Sequence, residues 1–253
     1  MSIRKLYFIA TAIFLIALSA IGCAAPTATP APTATPALTP TAAFTLSSQA
    51  QPYEHDQPIG YLLYLPQQYT PDRAWPLFVG LHGYGGNARD CLNAWQSYAD
   101  ETGFVLVCPS LNDPYGGWEQ EVMKNTLHDV IAKVQSEVNV KPRAFVAGFS
   151  AGGHLTQRFA WAHPEDVSAA AVLSAVTYDE PETQAKAIPF LIVLGDADHL
   201  GGVKQVEQFA QDLQEAGFTA ELHILPGVGH TVTNEARELT LEFFKRTLDE
   251  PAP

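Results

Sequence analysis

The chain has 253 residues, 47% of them hydrophobic and 16% charged, far too apolar for intrinsic disorder and long enough for one large core. Its 14 basic residues face 27 acidic ones, a net charge of −13. That sign repels phosphate backbones and anionic headgroups, which argues against a nucleic-acid partner, and three cysteines without a CxxC pair argue against a disulfide-built scaffold, cysteine-held zinc or dithiol redox chemistry.

The chain opens with Arg4 and Lys5, an uncharged run from Leu6 to Ile21, and Ala20-Ile21-Gly22-Cys23. A basic start before an apolar run reads as an export signal over residues 1–22. The run of 16 residues spans roughly 24 Å as a helix, short of the ~30 Å hydrocarbon core, so a permanent transmembrane helix is the weaker reading. Removal of the segment leaves 12 basic against 27 acidic residues, −15. Residues 24–43 are Ala, Pro and Thr apart from Leu38. Such a stretch builds no core, and its prolines favour extended polyproline II at ~3.1 Å per residue, a semi-rigid stalk of roughly 60 Å over residues 23–44.

From residue 45 to 253 the composition is that of a globular domain. Short apolar runs predict strands at Gly60–Leu65, Leu77–Leu81, Phe104–Cys108, Ala144–Ala147, Ala169–Leu173, Phe190–Leu194 and Ala220–Leu225. Helical spacing falls between them at Cys91–Thr102, Glu119–Val138, Gly152–Ala162, Val203–Ala216 and Thr231–Thr247. This alternation predicts an α/β fold with a mostly parallel sheet covered on both faces.

The chemistry concentrates in three places. The apolar run from Ala144 passes directly into Gly148-Phe149-Ser150-Ala151-Gly152 and then a helix, the context in which Gly-x-Ser-x-Gly becomes a nucleophile elbow. Its strained turn needs glycines on either side and presents Ser150 at the positive end of a helix. A serine hydroxyl needs a base, and the base needs an orienting carboxylate. Asp196 and Asp198 follow the Phe190–Leu194 strand, and Asp198 is preferred. His230 follows Pro226-Gly227 after the next strand and is the expected base. The expectation for His223 is packing within the sheet, for His199 a surface position, and for His154 packing behind the serine. Oxyanion donors are expected from the backbone N–H groups of Ala151 and of Tyr84, in the glycine-rich Leu81–Gly86 stretch. Cys91 and Cys108, 17 positions apart, are either a disulfide or two buried thiols.

These motifs in this chain order resemble the α/β-hydrolase superfamily over essentially all of residues 45–250. Leu81-His82-Gly83 and Pro226-Gly227 before His230 are similar to the phospholipase/carboxylesterase and acyl-protein thioesterase branch. Ser150-Ala151-Gly152-Gly153 and Trp118 are similar to feruloyl esterases and polyhydroxybutyrate depolymerase-like esterases. Thioesterases of the first branch usually carry glutamine where Ala151 stands. Separately, the Ala20–Cys23 stretch resembles the cleavage box of bacterial lipoproteins, with Ala20 in place of the usual leucine. That resemblance implies lipidation of Cys23 and a membrane-anchored, extracytoplasmic protein; the alternative is ordinary secretion.

The superfamily resemblance implies a serine esterase that uses neither metal nor cofactor. Only 16 residues separate Leu173 from Phe190, too few for a helical cap, so the cleft is expected to be open. Tyr84, Trp118 and Tyr178 are candidates for an aromatic wall, and the ester substrate is expected to be neutral, with an acylated polysaccharide or polyester among the options. The rival readings are a prolyl-oligopeptidase-like peptidase, which usually carries an additional gating domain, and a non-catalytic binding lipoprotein.

Overall fold

The computed structural model describes residues 44, 46–47, 51–111 and 120–249. Residues 1–22, expected to be an export signal, Cys23, nearly all of residues 24–44, and Trp118 lie outside the described residues.

Eight strands form one sheet: β1 Tyr53–His55, β2 Tyr61–Tyr64, β3 Trp75–Leu81, β4 Val105–Pro109, β5 Val140–Phe149, β6 Val167–Leu173, β7 Phe190–Gly195 and β8 Ala220–Leu225. The helices are α1 Ala88–Thr102, α2 Gln120–Glu137, α3 Ala151–Ala162, α4 Val203–Glu215 and α5 Asn234–Asp249. The strand order is β1-β2-β4-β3-β5-β6-β7-β8. From β4 to β8 neighbouring strands are parallel, whereas β1 and β2 add antiparallel pairs at one edge. The predicted strands and helices are all present, and β1 is the addition. Its three residues, Tyr-Glu-His, have no apolar run to announce them and are held by pairing with β2.

The strands are apolar on both sides because helices cover both. Leu77, Val79 and Leu81 of β3 pack on one face with residues of α2, α3 and α4, including Ile131, Phe159 and Phe209. Phe78 points the other way, toward α1 and α5, and its ring lies 4.9 Å from those of Trp95 and Phe104 and 5.1 Å from that of Phe145. Residues alternating along one strand thus feed two separate cores.

Helix α1 begins three residues earlier than periodicity indicates. Asn87 accepts the N–H groups of Arg89 and Asp90 while Asp90 accepts the N–H of Asn87, a capping box that starts the helix at Ala88. Helix α5 starts three residues later than its apolar spacing indicates, where Thr233 Oγ1 accepts the Ala236 N–H.

Cys91 of α1 and Cys108 of β4 form a disulfide with their Cα atoms 5.7 Å apart. The bridge rests on β3, where Gly80 makes room: a Cβ there would lie 2.5 Å from Cys91 Sγ. Closing a loop of this length restricts the unfolded chain and stabilises by about 3 kcal/mol.

Candidate active site

Strands β4 and β5 flank β3, and the chain leaves β3 toward α1 on one face and β5 toward α3 on the other. The loops therefore diverge and open a crevice at the carboxyl ends of these strands, where open α/β sheets bind their ligands.

Ser150 stands at that point. It terminates β5, caps α3, and holds φ 56° and ψ −116°, a backbone strained for a side-chain-bearing residue. Close packing enforces the strain. A Cβ on Gly148 would lie 2.1 Å from the Gly152 carbonyl oxygen, and one on Gly152 would lie 2.5 Å from the Leu81 carbonyl oxygen. The elbow fits only because both are glycine, and the Ser150 N–H is fixed to the Leu173 carbonyl at 2.8 Å.

The structure brings the three widely spaced residues together. Ser150 Oγ lies 2.9 Å from His230 Nε2, and His230 Nδ1 lies 2.8 Å from Asp198 Oδ2. Asp198 Oδ1 accepts the N–H groups of Leu200 at 3.0 Å and Gly201 at 3.1 Å, and the carboxylate is fully enclosed. Burial alone would raise its pKa. The hydrogen bond from His230, those from Gly201 and Leu200, and the charge of His230 outweigh burial and hold the group below its ordinary 3.8. Asp198 is thus ionised and acceptor-only, so Nδ1 of His230 carries the proton and Nε2 is left to accept from Ser150. This is the arrangement in which an imidazole can act as general base toward a serine hydroxyl. The Phe149 ring, 4.9 Å from that of His230, backs the imidazole.

Asp196 has a different task. It is exposed, and its Oδ1 accepts the Gly227 N–H at 2.6 Å, shaping the turn that carries His230. His154 lies 3.3 Å from Asp179, and His199 is exposed. His223 is half-exposed on β8, the last strand of the sheet among the described residues, and lies 3.7 Å from Glu221 rather than packed within the sheet.

On the oxyanion side Ala151 is the first residue of α3, and the opening N–H groups of a helix have no intrahelical acceptor. The second donor involves a residue whose role the sequence did not reveal. His82 is buried, and its Nε2 accepts the Leu111 N–H at 3.1 Å, so the ring proton sits on Nδ1 and is donated to the Gly83 carbonyl at 2.8 Å. Burial lowers the His82 pKa, against the opposing pull of the Gly83 bond and Asp90, which keeps the ring neutral. The same Gly83 carbonyl accepts the Gly86 N–H at 3.0 Å. The Gly83–Tyr84 peptide is therefore pinned through its oxygen, and the Tyr84 N–H, trans to that oxygen, faces the opposite way. Gly83 itself lies against Ser150: a Cβ there would stand 3.3 Å from the Ser150 Cβ. A histidine directly before glycines in a loop was the available signal.

A cavity of about 290 Å³ opens beside the triad between the oxyanion loop, α1 and the segment before α5. Tyr84, Ala94, Trp95, Ala147, Phe149 and Val232 give it apolar walls, with Cys91 at its side and Asp90 as a charged lining group. Tyr84 belongs to it, but Tyr178 does not. The Tyr178 hydroxyl donates to the Ala175 carbonyl at 3.0 Å and its ring packs 4.8 Å from that of Phe209, so the expected wall residue is a packing residue behind Asp198. Among the described residues, the His and carboxylate donors close enough to share a metal ion lie elsewhere, at His128, His163, Glu165 and Asp166.

Residues 110–247, more than half of the chain and a span that includes Ser150, Asp198 and His230, match the model of the dienelactone hydrolase family. The chain belongs to that family. Among curated relatives, feruloyl esterase B of Thermothelomyces thermophilus is 31% identical over 152 residues, 53% of this chain and 51% of that protein. Carboxylesterase SOBER1 of Arabidopsis thaliana is 30% identical over 135 residues, 51% of this chain and 58% of that one. The chain thus spans about half the length of these curated relatives. Among solved structures, Est1E from Butyrivibrio proteoclasticus superposes with a TM-score of 0.63 at 17% identity, covering 79% of this chain and all of that one. SOBER1 itself gives a TM-score of 0.59 at 21% identity, over 70% of this chain. Both share the fold.

Proposed function

We propose that the protein is an exported serine hydrolase of carboxylic esters, anchored through lipid on Cys23. The observation that carries the reading is the continuous hydrogen-bonded line Ser150–His230–Asp198. Ser150 attacks the ester carbonyl while His230 takes its proton, and the N–H groups of Ala151 and Tyr84 receive the oxyanion. His230 then protonates the leaving alcohol, and water, activated by the same imidazole, releases the acid. Asp198 holds the imidazole in the required tautomer and stabilises its charged form.

The site supports a neutral ester with an apolar acyl group. The 290 Å³ cavity is large enough for a medium alkyl chain or a phenylpropenoyl group, and Asp90 in its lining disfavours an acid there while offering an acceptor to a hydroxylated ring. The feruloyl esterase relatives agree with that choice. The segment between β6 and β7 contains only one short helical turn, Thr183–Ala185, so this segment puts no helical cap over the cleft. Exposed Tyr84, Val122, Val176 and Leu200 all follow carboxyl ends of strands on the side where Ser150 opens. An open, apolar-rimmed cleft suits an ester displayed on a polymer. The stalk and Cys23 anchor are read from the sequence.

Hydrolysis of p-nitrophenyl acetate, butyrate and octanoate beside methyl ferulate, by the protein and its Ser150→Ala variant, tests the reaction. Activity is expected to fall by on the order of 10⁵-fold or more in the variant, with octanoate or ferulate preferred over acetate. Equal rates in the two proteins would remove Ser150 as nucleophile. Incorporation of labelled fatty acid in cells, lost in Cys23→Ser, tests the anchor.

A further inference from the structure

We infer that the connection between α3 and β6, together with α2, forms a binding site for one divalent transition-metal ion of the zinc class. The donors are His128, His163, Glu165 and Asp166. One ligating atom from each lies within 4.8 Å of all the others.

The donors are gathered within 4.8 Å of one another, against about 3.4 Å in a tetrahedral shell, so the widest separation must close by up to about 1.4 Å. His128 Nδ1 and Asp166 Oδ2 are 2.6 Å apart, and His163 Nδ1 and Glu165 Oε1 are 3.8 Å apart. An ion about 2.0–2.2 Å from each of four tetrahedral donors needs them about 3.4 Å from one another. The first pair must open by under an ångström and the second must close slightly. Glu165 is exposed and free to swing, whereas the two imidazoles stack face to face, centroids 4.7 Å apart and planes inclined by 17°, and must tilt for their in-plane lone pairs to meet at one ion.

Two features go beyond a chance gathering of surface groups. His163 Nε2 lies 3.1 Å from Asn125 Oδ1, an acceptor, so its proton is on Nε2 and the Nδ1 lone pair is directed to the cluster. A ligating histidine usually has its second nitrogen held in this way. The segment bearing three of the donors is also fixed from behind. Pro164 stiffens it, and Arg143 of β5 donates to the carbonyls of Pro164 and Val167. Around His128, Asp129, Glu165 and Asp166 add a negative field that attracts a cation.

Two imidazoles with two carboxylates suit zinc and its neighbours in the transition series better than calcium or magnesium, which prefer all-oxygen shells. The ion would displace the proton shared by His128 and Asp166 and join α2 to the carboxyl end of α3. That helix has Ser150 at its other end, about 18 Å away. The site does not touch the reacting groups, and the inference stands apart from the ester-hydrolase reading. No sequence motif announces it, since His128 and Asp166 are 38 positions apart.

The test is a calorimetric titration of chelator-treated full-length protein with ZnCl₂ near neutral pH, repeated with Co²⁺ and followed by its visible d–d bands. Saturable binding of one ion per chain, intense tetrahedral-type Co²⁺ bands and a thermal midpoint raised by Zn²⁺ are expected. Asn125→Ala should weaken affinity by about tenfold. His163→Gln and exposed Glu165→Gln should weaken it further, with metal-free melting and circular dichroism confirming that each folds. His230→Gln should bind as the parent does. Absence of saturable binding, octahedral-type Co²⁺ spectra, binding indifferent to both His163→Gln and Glu165→Gln, or binding lost in His230→Gln would each overturn the inference.

Discussion

Ser150 and His230 meet at 2.9 Å, but their segments are held in place by different forces. Around Ser150 the constraint is contact. Gly148 and Gly152 face backbone atoms at 2.1–2.5 Å from where a Cβ would be, and the nucleophile has no room to sit elsewhere. Around His230 much of the constraint is polar. Gly227, at φ 70°, has open space around its missing Cβ, and the turn is aimed by the Asp196–Gly227 and Asp198–His230 hydrogen bonds. At the base of that loop contact returns, since a Cβ on Gly195 would fall 2.0 Å from the Val228 carbonyl oxygen. Under the proposed reaction, the strained nucleophile is confined by shape, whereas the base, which would change charge during turnover, is guided by groups that respond to charge.

The largest expected consequence of the polar side is in Asp198→Asn. The geometry survives, but the amide offers no charge to the imidazolium and favours the wrong tautomer, so kcat should drop by about 10⁴-fold with little change in KM. The pH dependence of stability follows from the same carboxylate. Its folded pKa lies below the unfolded 3.8, so its contribution is present above that pH and is lost as pH falls through the lower folded value. Urea titrations across this acid range should show a steeper decline for the parent than for Asp198→Asn; parallel curves would mean that Asp198 does not carry the acid lability.

On the contact side, Gly152→Ala places a methyl 2.5 Å from the Leu81 carbonyl oxygen and 2.6 Å from that of His82. A loss of about 3 kcal/mol or more is expected in denaturant melts, with activity falling further because the displaced strand end carries the oxyanion loop. His82→Leu should cost about tenfold to a hundredfold in kcat, less than the 10²–10³ expected for removing an oxyanion donor outright, because the Gly83–Tyr84 peptide loses its orientation and not its N–H. The smallest effect belongs to Gly227→Ala. With no neighbour to strike it meets only the cost of a positive φ, about 1–2 kcal/mol, and melting of this variant beside Gly152→Ala tests the contrast directly. Equal losses in the two would dissolve the distinction between a shape-held and a bond-held segment.

Much of this arrangement was legible in the chain. Strands such as Phe104–Cys108 and Phe190–Leu194 are apolar on both faces, so the type of fold follows from their covering, and the elbow carries its glycines because its contacts are local in sequence. Asp198 and His230 were readable because each follows a strand at a glycine-rich turn. Tyr178 was misread because an aromatic on a loop after a strand satisfies the same pattern whether it faces the cleft or, as here, packs on Phe209. Strand β1 was missed because its identity comes from a partner and not from its own composition.

The sequence by itself determined the periodicities, the turn residues and the order of the chemical groups, since these depend on neighbours within a few positions. The tertiary structure decided what depends on distance between remote segments. It joined Cys91 to Cys108, set His82 to orient a peptide from the side of Leu111, closed Ser150 and His230 across 80 positions, and stacked His128 on His163. Such approaches are fixed only when the two cores on either side of the sheet are filled, because packing and not local propensity sets where the ends of β3, β5, β7 and β8 stand relative to one another.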